Sequence, residues 1–194
     1  NSHFVEVGVW EGKSAAFMAV EILNSGKQIR FDCVDIWQWY PEQKDIGTIH
    51  FDNRDIFEEF KTNLAPVLSH ITPIKMWSHE AAALYPDHSL DFVFIDAAHD
   101  YGNVKKDIQA WAPKVKETGI IAGHDYFGAE GVRAAVDEFF TSVETNFEEK
   151  INYFKKVIKI LILHFFFKYI DYFLYIGSLN KEFYLRLGVK KKKL

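Results

Sequence analysis

Apolar runs of strand length alternate with amphipathic stretches along most of the chain. HFVEVGV (3–9) is a nearly unbroken apolar run, and KSAAFMAVEIL (13–23) repeats its apolar positions at helical spacing, with Gly26 as the stop signal. RFDCVDIW (30–37) predicts a second strand, followed by a long aromatic and polar connection, WQWYPEQKDIGTIHFD (37–52). NRDIFEEFKTNLAPVL (53–68) predicts an amphipathic helix, HITPIKMW (70–77) a third strand and HEAAALY (79–85) a short helix. LDFVFIDA (90–97) predicts the fourth strand, NVKKDIQAWAPKV (103–115) a helix, GIIAGHDY (119–126) the fifth strand and AEGVRAAVDEFFTSV (129–143) the closing helix. Strands joined by helical crossovers predict an α/β domain: a doubly wound, mostly parallel sheet covered on both faces, in three layers.

In such sheets ligands collect beyond the carboxyl ends of the strands, near the point where the winding reverses. The ends of the first, second, fourth and fifth predicted strands carry Glu6–Gly8, Asp35, Asp96–Asp100 and His124–Asp125. These groups are the candidates for chemistry.

Composition narrows the class. At 194 residues, 48% hydrophobic and 26% charged, the chain reads as one globular domain with a substantial core. Its one cysteine, Cys33, excludes an internal disulfide and fits a reducing, cytoplasmic setting. The net charge of -4 hides an asymmetry: residues 155–194 hold ten Lys/Arg against Asp171 and Glu182, a net of +8, which leaves -12 on the rest. So acidic a body repels phosphates, and no nucleic-acid partner is expected. The Lys run at 190–193 either touches an anionic surface or is a solvated terminus.

The segment 147–194 is rich in Phe, Tyr, Ile and Lys and has no clean period. It either adds two last strands, from IKILILHFFF and FYLRLGV, or is divergent sequence with little structure; the organised domain is expected over 1–146. The chain opens without Met and enters an apolar strand by residue 4, which reads as an N-terminal truncation without a secretory signal. The apolar stretch from Val157 to Ile176 is interrupted by Lys159, His164, Lys168 and Asp171, so no stable membrane insertion is expected. A homo-oligomer is compatible with the sequence.

Three constellations carry the chemistry. In EVGVWEGKS (6–14), Gly8 and Gly12 follow a strand and open a helix, so backbone amides and a positive helix end face an incoming ligand. The spacing is neither the G-x-G-x-x-G of dinucleotide sites nor a phosphate loop, and Glu6 suits a ligand with a positive centre. The same glycines also suit a tight turn and nothing more. Asp35, at the end of the second strand, is placed to accept ribose hydroxyls, or is a solvated strand-end acid. Asp96 and Asp125, with His99, Asp100 and His124 nearby, form a hard-cation site suited to Mg²⁺ or Mn²⁺, or general acid/base groups without a metal. His99 alone fits a helix cap or the core equally well. Ser14 and Ser78 lack a His/Asp relay, so hydrolase chemistry is unsupported. Trp77 either stacks on a ligand or fills the core, and Trp37, Trp39 and Tyr40 either line a substrate mouth or pack.

FVEVGVWEGKSA, FDCVDIW and LDFVFIDAAHDYGNVKKDIQAWAPKVKETGIIAGHDY together resemble the class I S-adenosylmethionine-dependent methyltransferases. Within them the chain is similar to the small branch of macrocin-type O-methyltransferases and their cephalosporin-biosynthesis relatives. The resemblance covers residues 3 to about 143, with 92–126 the most specific part. It implies a Rossmann-like fold and S-adenosylmethionine as cofactor. Glu6, Gly8, Gly12 and Ser14 would surround the methionine moiety, Asp35 would hold the ribose, Ser78 would sit by the adenine, and Asp96 would border the cofactor. Asp96 and Asp125, with His124, would hold a divalent ion such as Mg²⁺ that orients a substrate hydroxyl.

Two positions depart from the family pattern. Metal-using relatives often carry an acid two residues beyond the first aspartate, where this chain has Ala98, and another just before the last aspartate, where it has His124. His99 or His124 would then supply the base, beside Asp96, or the transfer is metal-independent. The expected activity is O-methylation of a small hydroxylated acceptor, a sugar or secondary metabolite. The alternatives are an inactive cofactor-binding module and, against the glycine spacing and Glu6, a nicotinamide-dependent oxidoreductase.

Overall fold

The computed structural model describes residues 1–38 and 54–145. Trp39, Tyr40 and most of the aromatic connection lie outside the described residues. So does the 147–194 segment, with its candidate strands, its basic tail and the apolar stretch at 157–176.

Five strands form one sheet: β1 (Ser2–Val7), β2 (Ile29–Asp35), β3 (Thr72–Lys75), β4 (Leu90–Ile95) and β5 (Val115–Gly123). Every pairing is parallel and the order is β3-β2-β1-β4-β5. The chain winds outward from β1 to β3, then returns to place β4 against the other side of β1. The winding therefore reverses between β1 and β4, and a crevice is expected at their carboxyl ends.

Between the strands run α1 (Lys13–Ser25), α2 (Ile56–Asn63), the short α3 (Ser78–Ala81) and α4 (Tyr101–Trp111), and α5 (Glu130–Thr145) follows β5. Alternate strand residues face opposite layers. On one face Phe31, Cys33, Phe92 and Phe94 pack under Ala15, Met18 and Ile22 of α1 and Ile56 and Phe60 of α2. On the other, Val5, Val7, Val34 and Val93 pack against Ala81, Ala82, Tyr85 and Trp111. α5 rests on α4 through Val104, Ile108, Val132 and Ala135. Each fully buried large side chain, such as Phe60 or Trp111, contributes about 2–3 kcal/mol of transfer free energy. The result is the three-layer, Rossmann-like sandwich the alternating pattern predicts.

One buried carboxylate belongs to the scaffold. Asp32 is fully buried, and its oxygens accept from His3 Nε2 (2.8 Å), Tyr85 OH (3.0 Å) and Arg30 Nε (3.0 Å). Its alternation with Asp35 puts the two acids on opposite faces, so this network ties β1 and β2 to the segment before β4 and stays away from the crevice. No helix among the described residues is long and apolar enough to cross a membrane.

Candidate functional site

The rim of the crevice is fixed by ladder hydrogen bonds that continue past the strand ends. Gly8 N–H donates to Val34 O (2.9 Å), Asp96 N–H to Val7 O (2.7 Å), Met76 N–H to Asp35 O (3.0 Å) and His124 N–H to Ile95 O (3.2 Å). Gly8 has φ +83°, and a Cβ there would stand 2.1 Å from Asp96 O and 2.5 Å from Ala97 Cα. The glycine therefore lets the β1–α1 loop lie directly against the β4–α4 loop, which brings the first and third motifs together. Gly12, at φ +86°, begins α1, and a Cβ there would meet Leu64 Cδ1 at 2.1 Å. No side chain caps α1, and its first turn carries no acid, so the positive end of the helix lies at the rim.

The β1–α1 loop is held by Asp35. Its Oδ2 accepts from Val9 N–H (2.7 Å) and Trp10 N–H (2.9 Å), and its Oδ1 from Trp37 N–H (2.7 Å). A carboxylate offers about four acceptor sites, so at most one remains for a ligand. Trp10 (φ 46°) and Trp37 (φ 45°) both occupy left-handed backbone, which costs a non-glycine residue about 1–2 kcal/mol. Asp35 holds both of these backbones, and Trp37 Nε1 adds a bond to Trp10 O (2.8 Å). Trp37 itself is buried and packs on Phe57 and Phe60, so it is a core residue; Trp10 and Trp77 are both 42% exposed.

Beneath that loop Glu6 is 2% exposed and accepts a hydrogen bond from the Ser14 hydroxyl. Burial pushes its carboxyl up to about 8, Ser14 opposes the rise, and the charges of Asp96 and Asp35 add to it. At neutral pH the carboxyl is therefore mainly protonated until a cation arrives. The standing negative charge that the sequence suggests at this position is a latent one.

Across the crevice, Asp96, His99, His124 and Asp125 converge from the ends of β4 and β5. Asp96 Oδ1 lies 3.8 Å from His99 Nε2 and 3.7 Å from His124 Nδ1. Asp125 faces both rings, with Oδ1 3.1 Å from His124 Nδ1 and Oδ2 2.9 Å from His99 Nε2. One ligand atom each from Asp96, His124 and Asp125 lies within 4.8 Å of the others, and these donors fit one divalent cation. The side chains of Asp96 and Asp125 are 30 and 25% exposed, which leaves them open to a ligand and makes them poor stabilisers, whereas His99 Nε2 is buried. Asp125 has φ 59°, and its carbonyl accepts from Gly128 and Ala129 N–H (3.1 and 2.9 Å), which turns the chain sharply into α5.

Asp100 has a structural role: its Oδ1 caps α4 by accepting Asn103 N–H at 3.0 Å. Gly131 is a site feature that the sequence reading missed. A Cβ there would stand 2.4 Å from His99 O, so this glycine seats α5 on the His99 loop; an isolated glycine early in a helical pattern was the available signal. Asp107 was missed too. It is buried with its carboxyl pushed up to about 6 by burial, opposed by the Ser78 hydroxyl that hydrogen-bonds to it. Ser78 Oγ also accepts from Trp111 Nε1 (2.9 Å).

The comparisons bear on the family and the fold. A family model described as a methyltransferase domain matches residues 5–126, more than half of the chain. The chain belongs to the methyltransferase domain family. Its fold is that of the class I S-adenosylmethionine-dependent methyltransferases. The O-methyltransferase NovP superposes with a TM-score of 0.60 at 20% identity, over 74% of this chain and 65% of NovP. A protein from Clostridium thermocellum, named as a candidate rRNA methylase, gives 0.53 at 17% identity, over 73% and 71% of the two chains. At these identities the likeness speaks for the fold. The chain thus spans 65% of NovP's length. No curated protein matches its sequence.

Proposed function

We propose that this methyltransferase transfers the methyl group of S-adenosylmethionine to a hydroxyl of a small acceptor, a sugar or secondary metabolite, with help from a divalent cation. The observation that carries this reading is the approach of the Gly8 loop to the Asp96 loop. It supports reading Glu6 and the group of Asp96, His124 and Asp125 as parts of one site.

The leading amides of α1 suit the methionine carboxylate and Glu6 its ammonium group, with Gly8, Gly12 and Ser14 shaping the loop. Asp35 accepts one ribose hydroxyl on its remaining site, and Ser78 lies beside the adenine. Asp96, His124 and Asp125 would hold the cation, which when bound orients the acceptor hydroxyl and lowers its pKa. His99, whose Nε2 stands 2.9 Å from Asp125 Oδ2, receives the hydroxyl proton. The oxygen–methyl bond forms as the sulfonium–methyl bond breaks, and the cofactor leaves as a neutral thioether. Alignment in the crevice provides much of the acceleration.

Calorimetric titration with S-adenosylhomocysteine and with NAD tests the cofactor assignment; binding of NAD without the thioether would overturn it. Labelled-methyl transfer to hydroxylated acceptors, with and without chelator, tests the reaction. Transfer that chelator abolishes is expected, and transfer indifferent to chelator removes the cation from the mechanism.

A further inference from the structure

Among the three atoms that would hold the cation, His124 Nδ1 is the one whose chemistry discriminates between ions. Mg²⁺ is a hard ion that takes oxygen ligands, keeps several waters and loses them reluctantly. Imidazole nitrogen suits softer first-row ions, and two carboxylates do not reverse that preference. Ligands about 2.1 Å from a common ion stand about 3.0 Å apart at right angles and about 3.4 Å at tetrahedral angles, a range that the spacing of His124 to Asp125 meets and that to Asp96 slightly exceeds. His124 Nδ1 is 3.1 Å from Asp125 Oδ1 and 3.7 Å from Asp96 Oδ1. His99 Nε2 stands 2.9 Å from the other oxygen of Asp125, outside the three proposed ligand atoms.

We propose that the cation held by Asp96, His124 and Asp125 is a first-row transition ion of borderline softness, Fe²⁺, Co²⁺ or Zn²⁺, in preference to Mg²⁺. The proposal rests on the cation-assisted reading of this crevice and adds to it a direct metal–imidazole bond. It makes His124 a ligand and leaves His99 as the base.

Co²⁺ is the probe, added to tag-free full-length protein that has been stripped with chelator and desalted. A paramagnetically shifted, exchangeable imidazole N–H resonance is expected on loading, from the ring nitrogen that stays protonated. Loss of that resonance in His124→Asp, with the dissociation-constant ratio of Mg²⁺ to Co²⁺ falling about tenfold or more, would establish the nitrogen ligand. The proposal fails if loaded wild type shows no shifted N–H resonance, or if His124→Asp folds and keeps the same ion ratio. Should that variant not fold, the wild-type resonance alone decides. S-adenosylhomocysteine titration of the same stripped sample separates the layers. Thioether binding with no Co²⁺ binding overturns this proposal and the cation-assisted mechanism, yet spares the cofactor site. A shifted resonance without thioether binding upholds the ion assignment and overturns the cofactor site.

Discussion

Asp35 and Asp96 occupy matching places, each at the carboxyl end of a parallel strand, yet they work in opposite ways. Asp35 gathers three backbone N–H groups and fixes a loop that carries two strained tryptophans. Asp96 instead faces two imidazole rings at 3.7 and 3.8 Å. A strand-end carboxylate gathered by backbone amides is scaffold, whereas one that faces titratable side chains is a candidate for chemistry. Gly8 is the point of contact between a half on β1 and β2 held by backbone bonds and a half on β4 and β5 that the proposed function makes reactive.

The largest effect should therefore come from prying the halves apart. Gly8→Ala combines a left-handed backbone with a Cβ 2.1 Å from a carbonyl oxygen, and should lower unfolding stability by about 3 kcal/mol or more in urea titration. Gly26→Ala has a similar φ of +64° but nothing within 4 Å, and should cost only about 1 kcal/mol. Equal losses at the two sites would show that the close approach is unimportant.

Next comes the exchange of aspartates. Asp35→Asn turns one acceptor into a donor facing N–H groups, so it should cost about 2 kcal/mol of stability and weaken S-adenosylhomocysteine binding about tenfold. Asp96→Asn should change thioether affinity by less than about threefold while removing Co²⁺ binding and turnover. Reversal of that pattern would dissolve the division between the halves.

How much of this contrast is legible in the sequence follows from the range of the interactions. Apolar runs and helical spacing report burial, a local property, so the layers and the order of elements emerge from the pattern alone. The strand-end rule then marks Glu6, Asp35, Asp96 and His124–Asp125 as a rim without any contact being known. What each acid touches is not local. Asp35 meets Val9 and Trp10 across 25 or more positions, and Trp37 reads equally as a mouth-lining or a packing aromatic until Phe57 and Phe60 are seen against it. The same applies to Gly131 and Asp107, whose partners lie on other elements. Nor does the sequence reveal that burial silences Glu6.

That burial gives the third test a definite sign. Glu6 has its carboxyl at about 8 in the folded protein and near 4.5 unfolded, so the folded state holds a proton the unfolded state has lost between those values. Its contribution is favourable below pH 4.5 and is lost as pH rises to 8, by no more than about 1 kcal/mol per unit. Asp107, raised from 3.8 to about 6, acts in the same direction over a lower window. Thermal unfolding should fall from pH 5 to 8 in wild type and flatten in Glu6→Gln, above all between 6 and 8. Thioether binding at pH 7 should release protons in wild type and none from this site in Glu6→Gln, as buffers of different ionisation enthalpy would show. An unchanged pH slope in the variant would mean that Glu6 is already ionised and belongs with Asp96.

The smallest effect is the most discriminating, because Ser78 stands on the border between the two roles. Its hydroxyl donates to Asp107 and accepts from Trp111 Nε1 at 2.9 Å, which leaves one lone pair for a ligand. Ser78→Ala strands the N–H of a fully buried tryptophan and should cost about 1–2 kcal/mol of stability. Without the Ser78 donor the Asp107 carboxyl should rise further, so the stability loss should grow with pH across its range. Thioether affinity should fall by no more than about threefold, since the surviving lone pair makes at best one ordinary hydrogen bond. A drop well beyond that with stability intact would move Ser78 from the scaffold to the ligand-binding surface. The boundary between fixed and reactive halves would then run through α3, and adenine recognition would rest on a side chain, not on the shape of the crevice.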